Sequence, residues 1–331
     1  MVQNPQLSLP KPKSFSFLCY NYFVKKLVLI DGNAIIHRAF HALPPLNNKD
    51  GVPTNAVYGF FTMLFKITQD LKPEYLIVCF DKKAPTFRKQ MYVGYQATRP
   101  KISDELVPQI DVVHKALDSA KIPHFEIDGY EADDLIGTIS KEAKKKDLQT
   151  IIVSGDRDLL QLVNTKVLML APIVGMTKMT LFDETKVKEK YGLEPGQIVD
   201  YKALVGDASD NYPGVSGIGP KTASGLLNKY QTLEGIYQHL RELSPQIQEK
   251  LAQDAEQAAL AKKLATIVMD APVKLEESEA EIGKIDKKAL KKVFKKLGFK
   301  SLLTRLSKGE DIKAQKEVKK EDDKSDQLGL L

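Results

Sequence analysis

A chain of 331 residues with 43% hydrophobic and 28% charged content is long enough to bury a sizeable core, as one large domain plus a smaller one or a tail. Its two cysteines, Cys19 and Cys79, exclude a disulfide framework and point to a reducing cytoplasm, and no apolar run reaches the roughly 18 residues of a membrane span. The 49 Lys+Arg against 43 Asp+Glu give a formal charge of +6, so the surface is distinctly basic if the acids gather in one place.

Residues 1–23, "MVQNPQLSLPKPKSFSFLCYNYF", hold early lysines and a short apolar patch interrupted by prolines, with no small-residue cleavage site. They read as a disordered extension or a misplaced start, and Val24 is the natural beginning of the fold. Four apolar, β-branched-rich runs come next: "KLVLI" (26–30), "YLIVCF" (75–80), "HFEI" (124–127) and "TIIVS" (150–154). Runs apolar on both faces and separated by amphipathic helices predict an α/β fold with a mainly parallel, buried sheet. "VLML" (167–170) and "MTLF" (179–182) would extend it.

The residues just past each run carry more weight. Asp31 stands after the first, Asp81 after the second, Glu131, Asp133 and Asp134 of "GYEADDLIG" after the third, and Asp156 and Asp158 of "SGDRD" after the fourth. In open α/β sheets ligands bind beyond the carboxyl ends of the strands, so acids placed there by four strands should converge. Taken alone, "GYEADDLIG" fits a surface helix, with Ala132, Leu135, Ile136 and Ile139 on one face and the acids on its flanks. Carboxylates about 4 Å apart repel by roughly 4 kcal/mol at an effective dielectric near 20, so crowding of this kind asks for positive charge.

Between Asp81 and that helix, Lys82, Lys83, Arg88, Lys89, Arg99 and Lys101 alternate with Phe87, Tyr92 and Tyr95. This is the mixture expected of a surface that grips phosphates and stacks single-stranded bases. From about Pro195 the texture turns helical with glycine-rich connections, and "GDASDN" adds Asp207 and Asp210 at an i, i+3 spacing. "GVSGIGPKTA" fails as a P-loop because Pro220 separates Gly219 from Lys221 and no strand precedes it. It reads better as a hairpin between helices, where Gly217 and Gly219 let the backbone approach a phosphate, with Lys221 and Thr222 beside a helix N-terminus. After about Ser307 the chain is charged, poor in large apolar residues, and expected to be disordered.

Nine carboxylates in one place suit hard divalent cations, Mg²⁺ or Mn²⁺, held by oxygen ligands. Two such ions form the clamp that hydrolyses phosphodiesters. His37 and His41 lack the further ligands of a zinc set and read as structural or phosphate-facing. No "GxSxG" elbow or "DxDxT" start offers a nucleophile instead.

The set "LIDGNAIIHRAFHAL", "PTNAVYGF", "FDKKAPTFR", "GYEADDLIG", "SGDRDLLQL" and "GDASDNYPGVSGIGPKTA" resembles the bacterial 5′-3′ exonucleases of the flap endonuclease family, from about Val24 to about Leu306. The resemblance implies a PIN-like catalytic domain over 24–194, a helical arch, and a helix-three-turn-helix DNA-binding domain over 195–306. A K⁺ ion at the hairpin and flapped or nicked DNA as substrate belong to the same picture. It further implies that Asp31, Asp81, Glu131, Asp133 and Asp134 serve one metal and Asp156, Asp158, Asp207 and Asp210 a second, with Asp133 or Asp134 close to both. Arg88 and Arg99 match positions that contact the scissile phosphate, and Tyr95 matches one that stacks on the terminal base. Gln96 stands where the family usually has a lysine, so Lys101 or Lys89 is expected to substitute in part, or turnover to be slower. The end of the 307–331 tail, "SDQLGLL", resembles a sliding-clamp peptide through Gln327, Leu328, Leu330 and Leu331, and "QLSLP" (6–10) is a second match. The expected protein is a cytoplasmic monomer, stand-alone or part of a longer polymerase. A non-catalytic DNA-binding module and a PIN-type ribonuclease are the competing readings.

Overall fold

The computed structural model describes residues 24–175 and 178–307, so Cys19, the "QLSLP" match and the candidate clamp residues Gln327 to Leu331 lie outside the described residues. The first half runs β1 (Lys26–Asp31), α1 (Gly32–Ala42), α2 (Asn55–Leu71), β2 (Tyr75–Cys79), α3 (Phe87–Met91), α4 (Val107–Ser119), β3 (His124–Phe125), α5 (Ala132–Lys145), β4 (Gln149–Val153), β5 (Val167–Val174) and β6 (Lys178–Phe182). The six strands form one sheet in the order β3-β2-β1-β4-β5-β6. All neighbours are parallel except β5 and β6, which pair antiparallel. "VLML" and "MTLF" thus become a hairpin at the sheet edge, and "HFEI" pairs over only His124 and Phe125.

Alternation along the strands explains the layers. Val28 and Ile30 of β1, with Val78 and Val153, face α1, α2 and α4. Leu27 and Leu29, with Ile77, Cys79 and Ile152, face α5 and its neighbours on the other side. Both sets are buried, which is why the runs read as continuously apolar. Chain progression leaves β1 toward β2 in one direction and toward β4 in the other, so the sheet has its topological switch point between β1 and β4.

The second half runs α6 (Glu184–Tyr191), α7 (Ile198–Val205), β7 (Gly206–Asp207), β8 (Tyr212–Pro213), α8 (Pro220–Tyr230), α9 (Leu233–Gln238), α10 (Pro245–Gln253), α11 (Ala255–Ala265), α12 (Glu277–Ala280) and α13 (Lys287–Leu297). A separate core joins Leu204, Val215, Ile218, Leu227, Ile236, Leu251 and Ala258. Helical texture places all of 195–306 in that second unit, and here packing differs. Ile267, Ala271, Val273, Leu275 and Ala280 join one face of the sheet core, while Leu290, Phe294, Phe299, Leu302 and Leu306 join the other. After α11 the chain therefore returns to cover the α/β unit. A second difference concerns the expected arch: between β2 and α4 the described chain forms only the five-residue α3 and a series of turns. No helix among the described residues is long and apolar enough to cross a membrane.

Candidate metal centre

β1 and β4, the strands flanking the switch point, deliver the first two acids. Asp31, 5% exposed, ends β1 and caps α1, its Oδ1 accepting from Ala34 N at 2.9 Å and its Oδ2 from Ser154 Oγ at 2.6 Å. Beyond β4, Ser154 Oγ in turn accepts from Asp156 N at 2.9 Å, so one serine sets the spacing of both acids. Asp81, beyond β2, accepts from Ala132 N at 2.7 Å, which ties it to the first turn of α5. That turn presents Asp133, which feels the charges of Asp156, Asp31 and Asp81.

Like charge raises these carboxyls. Burial, then Asp81, pushes Asp31 up to about 7 against the hydrogen bonds from Ser154 and Ala34. Asp133 is held well above the usual carboxylate range by its enclosure and by Asp156. Asp156 is raised by burial although Lys202 and Arg99 oppose this. The protein around Asp81 raises it too, although this side chain stands at an exposed rim where solvent screens the effect.

A second group lies beside the first. One oxygen from each of Asp158, Asp207 and Asp210 lies within 4.8 Å of the others, close enough to ligate a single ion. Asp207 follows α7 through Gly206, whose φ of +79° suits glycine and whose Cα lies so near the backbone of Gly214 that an added Cβ would meet Gly214 N at 2.5 Å. Burial alone would raise Asp207, yet Lys202 and Ser209 hold it below the usual range. Arg99 donates to Asp210 Oδ1 at 2.5 Å, with about half of its side chain exposed.

The structure brings eight of the nine expected acids to this edge but changes several roles. Asp134 is withdrawn: it is fully buried, Oδ1 accepting from Arg88 Nη2 at 2.8 Å and Val268 N at 2.9 Å, and Oδ2 from Arg88 Nη1 at 2.8 Å and Glu131 N at 3.1 Å. Nothing is left on it for a metal. Arg88 is correspondingly no open phosphate contact: it is 2% exposed and also donates to Leu264 O and Thr266 O, each at 2.9 Å. Tyr95 is no exposed stacking platform, because it packs beside Tyr212 with its hydroxyl 3.1 Å from Glu131 Oε2 and 3.2 Å from Asp210 Oδ2. Glu131, raised to about 7 by burial against the pull of Arg88, also accepts from Thr86 Oγ1 at 3.1 Å. Asp156, expected with the second group, is tied to Asp31 through Ser154, and its charge acts on Asp31 and Asp133.

Other expected residues lie further out. Lys82 pairs with Asp128 at 2.9 Å, both exposed, and Lys83, Lys89 and Lys101 are exposed. His37 is half-buried and lowered by burial, then by His41. Gln96 has a positive φ of 54° and donates its backbone N–H to Asp210 O at 2.8 Å, so this position shapes the turn over the second group. In the hairpin, Gly217 has φ +75° and its carbonyl accepts from Lys250 Nζ at 3.1 Å, while Gly219 caps α8, Lys221 is exposed and Thr222 half-buried. Lys202 is invisible to motif reading, although a lysine five residues before Asp207, on the helix that leads into it, is available as a signal. It donates to both Asp158 and Asp207.

Carboxylate oxygens in two adjoining groups, one of them crowded with like charge that no salt bridge relieves, fit hard divalent cations. Comparisons with known proteins give the family and the fold. Residues 26–192 match the family model "5′-3′ exonuclease, N-terminal resolvase-like domain", and residues 193–288 match "5′-3′ exonuclease, C-terminal SAM fold". The chain is 40% identical to a 5′-3′ exonuclease of Aquifex aeolicus over 86% of this chain and 96% of that one. It is 43% identical to DNA polymerase I of Bacillus subtilis over 87% of this chain, spanning only 32% of that protein. Among solved structures, the T5 D15 protein co-crystallised with metal ions shares the fold at 20% identity and a TM-score of 0.62, covering 85% of this chain and 100% of that one. The catalytic core of Rad2 in complex with DNA substrate does so at 16% identity and a TM-score of 0.57, covering 86% and 92%.

Proposed function

The chain belongs to the 5′-3′ exonuclease family, and on that premise we propose that it is a structure-specific nuclease that hydrolyses DNA phosphodiesters at 5′ ends and flaps. The observation that supports this best is the meeting of acids from the ends of β1, β2 and β4, the start of α5 and the β7–β8 turn at one sheet edge. Asp31, Asp81, Asp133 and Asp156 would hold one Mg²⁺ or Mn²⁺, and Asp158, Asp207 and Asp210 the second. Two such ions, when bound, supply an activated water and stabilisation of the leaving oxygen.

The chain's own residues do the rest. Ser154 and the Ala34 and Ala132 N–H groups orient Asp31, Asp156 and Asp81 before substrate arrives. Arg99, partly exposed on Asp210, is the guanidinium placed to meet a phosphate at the rim. Arg88 and Tyr95 act from beneath, fixing Glu131, Asp134 and Asp210. The start of α8, with Gly217, Gly219, Lys221 and Thr222, holds duplex phosphates without reading bases. A K⁺ ion at the hairpin belongs to the same reading, with the Lys250 ammonium on Gly217 O as its competitor. So do RNA-primer removal, repair, a polymerase partner and a sliding clamp bound through Gln327, Leu328, Leu330 and Leu331.

The test is a panel of 5′-labelled flap, nicked duplex and single strand with Mg²⁺. The reading expects preference for the branched and nicked forms, and equal cleavage of all three would remove structure specificity from it.

A further inference from the structure

Three carboxylates that converge on one point leave room for a cation, and in this structure a side chain already lies there. Lys202, in the last turn of α7, donates to both Asp158 and Asp207. All three side chains are nearly enclosed, at 13%, 12% and 11% exposure, so this is no solvated surface pair. The remaining member, Asp210, has its Oδ1 taken by Arg99. Two side-chain cations therefore offset most of the charge of the second group's three acids. No salt bridge among the described residues reaches Asp31, Asp81, Asp133 or Asp156: Arg99 and Lys202 act on Asp81 and Asp156 only at longer range, and the charged neighbours that weigh on Asp31 and Asp133 are acids.

We propose that Lys202 is the resident counter-cation of the second acid group, which a divalent ion must displace, and that it thereby makes the two groups fill in order. An ammonium and a divalent ion compete for the same oxygens on Asp158 and Asp207. Lysine suits the task because its charge is compact and its four-carbon stem flexible, so it can leave without disturbing the helix that bears it. A buried ion pair also carries a desolvation cost that a competing ion relieves. The Asp31 group, which no salt bridge occupies, takes the first ion, and the Asp158–Asp207–Asp210 group takes the second against Lys202. Gly206 and the short β7–β8 pairing fix the Asp207 backbone relative to Lys202, and the Ser209 N–H and hydroxyl hold its other carboxylate oxygen.

This inference rests on the two-ion reading above, and its test needs no DNA. Mn²⁺ binding to the full chain, counted from the free-ion electron paramagnetic resonance signal at fixed pH and salt, should give one site at least tenfold tighter than the other. Lys202→Met should tighten the weaker site at least tenfold and leave the tighter one within twofold, Lys202→Gln should do the same, and Lys202→Arg should keep the weak site weak. Adding Asp207→Asn to Lys202→Met should remove the tightened site and so assign it. In EDTA, Lys202→Met should melt below the wild type, and Mn²⁺ should restore more of the loss than it adds to the wild type. Unchanged or weaker second-site binding in both neutral variants, parallel shifts of both sites, or an equal melting loss with and without Mn²⁺ would overturn the proposal. A chain that shows the ordered pattern but leaves flap DNA intact would fail the nuclease reading alone, and one that cleaves flaps with no Lys202 effect would fail this inference alone.

Discussion

At Arg88 a guanidinium has been taken out of water and given a complete set of acceptors: both oxygens of Asp134, and the carbonyls of Leu264 and Thr266. Removing one partner from such a pair typically costs about 3–5 kcal/mol, because the other charge is left buried and alone. Arg88→Ala should lose stability on that scale in urea denaturation, and Arg88→Lys should not rescue it, since lysine cannot supply the fork. A loss under about 1 kcal/mol would mean that the pair is not buried as described. Asp31 gives a pH signature. Its native carboxyl, raised to about 7 by burial and Asp81, favours the folded state while protonated. That contribution is fully present below the unfolded value near 4 and is lost as pH rises through about 7. Metal-free wild type should therefore lose stability relative to Asp31→Asn between pH 4 and 7, by roughly 1–3 kcal/mol. A difference flat across that window, in melts at fixed ionic strength, would contradict the assignment. Neither Arg88's burial nor Tyr95's was legible in the sequence. The basic-aromatic alternation of 82–101 looks the same whether a side chain faces DNA or the protein, and the partners that decide it, Leu264 and Thr266, lie 176 and 178 residues away.

Among the elements, the parallel strands were the most legible, because burial on both faces writes itself as uninterrupted apolar runs. The acids were legible through position rather than type, each placed just past a strand end. β6 was harder, since a short edge strand can pair in either direction and only the chain's return from β5 decides it. The helix α8 carries its own prediction. Its N-terminus, with exposed Lys221, is assigned to duplex phosphates, which release counterions when bound. Lys221→Ala should weaken duplex binding alike across sequences and lower the slope of log affinity against log salt by about 1. Fluorescence anisotropy with two unrelated duplexes would read this, and an unchanged slope would take Lys221 out of the interface.

Across the whole molecule, the chain leaves the α/β unit at α6, builds the helical unit, and returns. The return segment seals both faces of the sheet and carries Thr266 O and Val268 N, two of the backbone groups that hold Arg88 and Asp134. Helical texture alone could not separate this returning segment from the helical unit, because periodicity shows that a face is buried and not against what. Phe294, fully buried against Phe61 and Phe65, tests the packing: Phe294→Ala should cost about 3–5 kcal/mol and loosen the sheet layer. Hydrogen exchange should then rise in α2 as well as α13, and exchange confined to α13 would contradict a shared core. At this scale the acidic sheet edge is the seat of metal-dependent phosphodiester hydrolysis. Single-turnover cleavage of a 5′-labelled flap tests it most directly, with wild type and Asp81→Asn compared in Mg²⁺ and in EDTA. Rapid cleavage is expected of wild type in Mg²⁺ alone, with a loss of at least about a hundredfold in the other three cases. Cleavage by wild type in EDTA, or by Asp81→Asn within tenfold of wild type, would contradict it.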